Sequence, residues 1–262
     1  MSARPAEARE IHTRLLRCTL EVENARAYWR HALDSAEGPT AQRAFEEYWF
    51  GARSLARVKL LVANFRARFD AFPPALRALG VWTDMDPDTR RLIGHWHLQL
   101  ADPLYRTFSG QYLVERHQRV PAAVGHAAVV AWVAQQGGAR WNMATRIQFA
   151  SKLLSAAFSA GLVGSSRDPR PVRYPRVSGE ALTYLMYLLR EVDFQGTLLD
   201  NPYVSSVGLA GAALEDRLRA LPGLRFRRQG DLIDFGWPYP DVASWAESRL
   251  AERSLAQAER VG

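Results

Sequence analysis

Basic side chains are concentrated in two blocks of this 262-residue chain. Residues 48–69 contain five basic residues and no acidic one, and residues 116–179 contain nine basic residues and one acidic residue, Asp168. The whole chain carries a net charge of +7, so the sequence outside the two blocks is net negative. Clustered guanidinium and ammonium groups create a local positive potential that attracts phosphate groups. The pattern favours a polyanion as the ligand.

The second block contains a predicted helix over residues 145–162 whose two faces differ. An apolar stripe follows helical spacing on one face: Ile147, Ala150, Leu154, Phe158 and Gly161. The opposite stripe is polar, short and free of acidic residues: Thr145, Gln148, Lys152, Ser155 and Ser159. Such side chains allow close approach to a DNA groove, and a lysine among them can contact a phosphate. The pattern is typical of a recognition helix; a plain surface helix with a small-residue packing face is the alternative.

A proline-rich basic segment follows this helix. Residues 165–178 read SSRDPRPVRYPRVS and place four arginines among three prolines: Arg167, Arg170, Arg173 and Arg176. Proline restricts the backbone, so less conformational entropy is lost when such a segment docks on a surface. The composition fits a wing that grips phosphates or a minor groove, and it equally fits a solvated basic loop.

The first block is a predicted helix over residues 54–69. Its apolar stripe is flanked by Arg53, Arg57 and Arg68 on one side and by Lys59 and Arg66 on the other. Basic side chains at the edges of a buried helix often lie along the apolar surface with their charged ends in water. Phosphate contact by Arg53, Ser54, Arg57 and Lys59 is therefore one of two interpretations.

The residues expected of an enzyme or a metal protein are missing from the sequence. Cys18 is the single cysteine, which excludes an internal disulfide and a multi-cysteine zinc site. The sequence contains no HExxH, GxSxG or lysine-containing phosphate loop. We expect no catalytic residue, no metal, no cofactor and no small-molecule substrate. The charged N-terminal sequence and the lack of a long apolar run predict a cytoplasmic protein without a membrane partner.

The elements that position these residues are mostly helical. Helix caps and periodicity predict a helix over residues 11–33 and helices that begin at Thr40, Ser54, Asp86-Pro87, Asp102-Pro103 and Ser178. Residues 224–235 predict a β-hairpin around Gln229-Gly230. The order helix–helix–hairpin then occurs twice, which is the winged-helix order. We predict a mostly α fold with a helical domain over 1–119, a winged-helix-like domain over 120–178, and a second such unit with a C-terminal helix over 179–262.

Four segments in this order resemble the BrxA family of BREX bacteriophage-defence systems: ARSLARVKLLVANFRARF, HWHLQLADPLYRTF, WNMATRIQFASKLLSAAFSAGLV and LTYLMYLLREVDFQGTLLDNPYV. The resemblance implies a cytoplasmic, non-enzymatic, DNA-binding protein. It also implies an N-terminal helical bundle similar to the antitermination factor NusB, followed by winged-helix units with short β-hairpins.

The expectation is a double-stranded DNA-binding accessory protein of phage defence, with other BREX proteins as further partners. The predicted DNA-contacting residues are Arg53, Ser54, Arg57, Lys59, Thr145, Arg146, Gln148, Lys152, Ser155, Arg167, Arg170, Arg173 and Arg176. The alternative is a winged-helix adaptor that binds partner proteins of a defence complex and not DNA. DNA binding that weakens steeply with salt distinguishes the two.

Overall fold

A computed structural model describes residues 4–34, 38–137 and 140–261 of the chain, with residues 253–261 described by their backbone alone, and most of these residues are helical. Two antiparallel two-stranded sheets complete the described part. The predicted mostly α fold with short β-hairpins is confirmed.

Half of the α-helices before the first strand begin at side-chain caps. Thr40, Ser54, Asp86 and Asp102 each accept a hydrogen bond from the backbone N–H three residues further on. The helices are α1 (Arg14–Arg17), α2 (Val22–His31), α3 (Ala41–Glu46), α4 (Leu55–Phe65), α5 (Pro73–Val81), α6 (Pro87–Ala101), α7 (Pro103–Thr107) and α8 (Leu113–His117). Helices α4 and α7 continue into π-helical turns at Arg66–Asp70 and Phe108–Tyr112.

Short strands and further helices make up the rest of the fold. They are β1 (Ala123–Val124), α9 (His126–Gly137), α10 (Met143–Ser159), β2 (Arg170–Pro171), α11 (Gly179–Glu191), α12 (Pro202–Ser205), α13 (Gly211–Arg219), β3 (Arg225–Gln229), β4 (Leu232–Gly236) and α14 (Val242–Val261). The β3–β4 hairpin has the predicted position, and Gln229 pairs with Leu232 across its turn. Gly230 has a φ of +61° in that turn, a conformation that glycine adopts without a steric penalty.

The prediction of one helix over residues 11–33 is wrong. Cys18 has an extended backbone after α1, and Glu21 before α2 has a φ of +51°. The cause is the buried guanidinium of Arg68, which donates to the carbonyl of Cys18 at 2.7 Å and to that of Leu20 at 3.4 Å. A continuous helix would use these carbonyls internally, whereas the break leaves them free to accept from a buried charge.

Buried apolar side chains form two clusters. The larger combines side chains from residues 18–100 with side chains from residues 177–246. The smaller combines Leu15 and Leu20 with side chains from residues 98–172, including those of α9 and α10. These clusters cross the predicted bounds 1–119, 120–178 and 179–262, because the first and third ranges share one core.

Candidate nucleic-acid interface

Helices α9 and α10 are consecutive and pack against each other, and the ring of Trp141 lies between the end of α9 and α10. The side chain of Asn142 accepts from the backbone N–H of Thr145 at 2.9 Å and caps α10. Trp141 is buried against Phe149, with 4.3 Å between the ring centroids. A Cβ at Gly137 would lie 2.2 Å from the ring of Trp141. The close approach of α9 to this ring therefore requires glycine at the end of α9.

A small sheet lies beside the two helices. Strand β1 pairs with β2, and Val163 lies opposite Val172. The backbone N–H of Gly164 donates to the carbonyl of Pro171 at 2.8 Å, which closes a hairpin around residues 165–169. We call residues 165–170 the wing. The order of strand, two helices and hairpin is compatible with a winged helix.

Helix α10 packs on α9 and α1 through small and apolar side chains. The buried residues of α10 are Phe149, Ala150, Leu153, Leu154, Ala156 and Ala157. The predicted apolar stripe is therefore partly wrong: Ile147 and Phe158 are 44% and 45% exposed. Because alanine side chains are small, α1 and α9 pack closely over them. This packing sets the rotation of α10 about its own axis and leaves Ile147 and Phe158 at the surface.

The outward side of α10 carries no carboxylate. We call the exposed residues Met143, Ala144, Ile147, Gln148, Ser151, Ser155 and Phe158 the α10 face. Gln148 and Ser155 of the predicted polar stripe belong to it, while Thr145, Lys152 and Ser159 are half-buried at its edge. Arg146 is also half-buried. Because α10 contains no acidic residue, nothing on this helix repels a phosphate group.

The wing is anchored by its acidic residue. The carboxylate of Asp168 accepts from the backbone N–H of His126 at the start of α9, and from Nε of Arg170 at 2.8 Å. Both interactions hold the pKa of Asp168 below its usual value, and the backbone hydrogen bond has the larger effect. Arg170 is thereby engaged with the chain's own carboxylate and positions the wing, and its predicted contact with DNA stays a prediction.

The other arginines of this segment differ from Arg170. Arg167, Arg173 and Arg176 are exposed. Their guanidinium groups make no ion pair with any residue in the described part of the chain. The imidazole Nε2 of His126 lies 3.0 Å from the hydroxyl of Ser151, so the start of α9 and the wing that caps it lie beside the α10 face.

The basic residues at α4 also include both exposed residues and one that pairs with a carboxylate of the chain. Ser54 caps the helix, and Arg53 and Lys59 are exposed. Arg57, in contrast, donates to the carboxylate of Glu21 at 2.7 Å and to the carbonyl of Arg17 at 3.3 Å. Arg57 therefore holds α4 against the α1–α2 connection, and its predicted contact with DNA stays a prediction. The left-handed backbone conformation of Glu21 places its carboxylate within hydrogen-bond distance of the Arg57 guanidinium.

Helix α1 connects the two basic blocks. It packs against α10, and its last residue accepts the hydrogen bond from Arg57. Its side chains Arg14 and Arg17 are exposed, and sequence analysis missed them, although their spacing of three residues on a helix was a usable signal. Among the exposed or half-buried cations of residues 14–17, 53–65, 143–159 and 165–176, those that form no ion pair within the described residues are here called the unpaired cations: Arg14, Arg17, Arg53, Lys59, Lys152, Arg167, Arg173 and Arg176.

The central histidines are core residues. The ring of His95 hydrogen-bonds to the hydroxyls of Tyr105 and Ser206, both at 2.9 Å, and that of His97 to the hydroxyl of Tyr184 at 2.7 Å. Burial lowers the pKa of His95 to about 3 and that of His97 to about 4, so both rings are neutral.

Neither a metal-binding cluster nor a membrane-spanning helix is present among the described residues. Within residues 4–34, 38–137 and 140–252, no group of three or more His, Cys, Asp or Glu side chains is placed to hold a metal ion. Over the same ranges, no helix has both the length and the apolar composition that crossing a membrane requires.

Comparison with known proteins supports the fold. No protein-family model matches the chain, and no curated protein matches it. A crystal structure of an uncharacterized protein from Magnetospirillum magneticum is similar, with a TM-score of 0.57 and 14% identity, over 70% of this chain and 98% of that chain. At this identity the similarity concerns the fold alone.

Proposed function

We propose that the protein binds double-stranded DNA and catalyses no reaction on it. The observation that carries the proposal is the α10 face, an uncharged surface without a carboxylate, bordered by unpaired cations. A helix face that contacts only water usually carries glutamate and lysine in pairs four residues apart, and α10 has no such pair.

The winged-helix-like unit offers both kinds of contact that DNA binding needs. The major groove of B-DNA is about 12 Å wide and admits an α-helix, so α10 fits there with its exposed face toward the bases. Lys152 at the edge of that face and the arginines at and beyond the wing would then contact the backbone phosphates. The anchoring of Asp168 on α9 limits the freedom of the wing, so less entropy is lost when it docks.

The resemblance to the BrxA family supports a more specific role. We propose that the protein is a cytoplasmic accessory factor of a BREX phage-defence system, with other BREX proteins as further partners. The residues that carry the resemblance include Trp141, Thr145 and Lys152, and these lie in or beside α10.

A DNA titration between 50 and 200 mM salt tests the proposal. If Lys152, Arg167, Arg173 and Arg176 each contact one phosphate, they contribute about −3.6 to the slope of log affinity against log salt. The variant K152A/R173A should therefore make the slope less steep by about 1.8. The matched control R30A/R91A removes the same charge from exposed positions on α2 and α6 and should leave the slope unchanged.

Equal losses in the two double variants would show that net charge alone controls binding, and would contradict the assignment of the site. Catalysis is tested by incubating the protein with plasmid DNA and magnesium. Cleavage that disappears in Asp231→Asn would contradict the non-enzymatic part of the proposal.

A protein–protein adaptor is the second candidate, and a specific observation favours it. Met143, Ile147 and Phe158 expose large apolar side chains along α10, as a surface that packs against a partner protein would. An adaptor shows no DNA binding that weakens with salt, so the same titration separates the two functions.

A further inference from the structure

We infer that the α10 face selects A·T base pairs in the major groove, through thymine methyl groups and the exposed edge of adenine. The inference rests on the proposed DNA binding and concerns which base pairs that site prefers.

Apolar side chains occupy the part of α10 that would enter the groove first. In helix–turn–helix proteins the N-terminal residues of the second helix contact the base edges. In α10 these residues include Met143, which is 60% exposed, Ala144, and Ile147, which is 44% exposed. In the major groove the C5 methyl of thymine is the apolar group that the four natural base pairs present, and apolar side chains pack against it.

The one exposed hydrogen-bonding side chain of suitable length in this half of the helix is Gln148. Its amide makes no hydrogen bond within the described residues. A side-chain amide offers one donor and one acceptor in a plane, which matches N7 and the N6 amino group of adenine. Gln148 follows Ile147 directly, so one residue would contact adenine while its neighbour meets a methyl group.

Groups that would read G·C pairs are absent from this part of the α10 face. Guanine is read by arginine or lysine, and cytosine by a carboxylate. Arg146 lies two helical turns before the buried Leu153 and so on the packed side, while Lys152 lies at the edge. The hydroxyl of Ser151 is already used, because it donates to the carbonyl of Ile147 at 3.0 Å and meets the ring of His126.

Binding to three duplexes of equal length distinguishes major-groove from minor-groove contacts and tests the methyl contact. The first alternates A and T, the second alternates A and U and so lacks only the methyl groups, and the third alternates inosine and C. Inosine·C presents the major groove of G·C with a minor groove that lacks the guanine amino group.

We expect A·T to bind about fourfold more tightly than A·U, the ratio that corresponds to one methylene-sized apolar contact. We expect A·T to bind about tenfold more tightly than inosine·C.

Variants assign the preferences to side chains. M143A/I147A should reduce the A·T to A·U ratio to about one, the value expected without methyl contacts. Gln148→Ala should reduce the preference for A·T over inosine·C. Ile233→Ala, at an exposed apolar residue of β4 outside the α10 face, is the control and should leave both ratios unchanged.

Equal binding of A·T and A·U by the unaltered protein would overturn the inference. Equal binding of A·T and inosine·C would overturn it as well, because these two duplexes present the same minor-groove groups and differ in the major groove. Failure to bind any of the three duplexes would refute the proposed DNA binding itself, so the two failures are distinguishable.

Discussion

Acidification from pH 7 to pH 5 should destabilise the protein through two buried histidines. His95 and His97 are fully buried, and burial lowers their pKa values to about 3 and about 4. In the unfolded chain a histidine has a pKa of about 6.5, so below that pH the unfolded state binds protons that the folded state excludes. The folded state therefore loses stability as the pH falls below the unfolded value.

The magnitude follows from proton linkage. At pH 5 each unfolded histidine is almost fully protonated while its folded counterpart is neutral, which lowers the free energy of unfolding by about 2 kcal/mol relative to pH 7. The two rings together contribute about 4 kcal/mol, a large share of the stability of an ordinary domain. Buried Asp102 acts in the opposite direction, because burial raises its pKa.

Urea unfolding followed by tryptophan fluorescence at pH 7, 6 and 5 measures this loss. His95→Gln and His97→Gln each remove one titrating ring, so each variant should lose about half of the histidine-linked pH dependence. The reasoning would be refuted by a free energy of unfolding that is the same at pH 7 and pH 5 in the unaltered protein. It would also be refuted if both variants retained the full pH dependence.

Three further predictions concern the contacts that hold the interface. Arg68→Met should lower the free energy of unfolding by about 3 kcal/mol in urea titrations, because two buried carbonyls lose a charged donor; an unchanged value would contradict this. Gly137→Ala should cost about 2 kcal/mol through its clash with Trp141, seen as a lower melting temperature, whereas a rise would show that the ring can move. Asp168→Asn keeps a cap acceptor for α9 but releases Arg170, so DNA binding should gain about one unit of salt slope. Asp168→Ala should instead lose about 1 kcal/mol of stability, and identical behaviour of the two Asp168 variants would refute the capping role.

Local signals in the sequence were sufficient for many elements. The caps at Thr40, Ser54 and Asp102 and the hairpin around Gln229-Gly230 lie where they were predicted, because each depends on residues within a few positions of one another. The helix break before α2 could not be predicted in this way. Its cause is a side chain 48 to 50 residues away, on the π-helical turn after α4.

The candidate site was predictable in its elements and less so in its surface. The sequence placed a helix at α10, but its apolar spacing fits two adjacent stripes, and only the neighbours α1 and α9 decide which one is buried. Whether an arginine forms an ion pair likewise depends on residues that are distant in the sequence. Arg57 meets a carboxylate 36 residues away, whereas Arg53, close to it in the sequence, meets none in the described part of the chain.

The two buried clusters impose an order on folding during synthesis. Every side chain of the smaller cluster has been translated once residue 172 has left the ribosome, so α9 and α10 can close around their core while the chain is still growing. The larger cluster includes side chains up to residue 246. The core around residues 18–100 is therefore incomplete until α11 and α14 have been synthesised. A nascent chain halted between these points would present a folded smaller cluster beside an incomplete larger one, which is the state most in need of a chaperone.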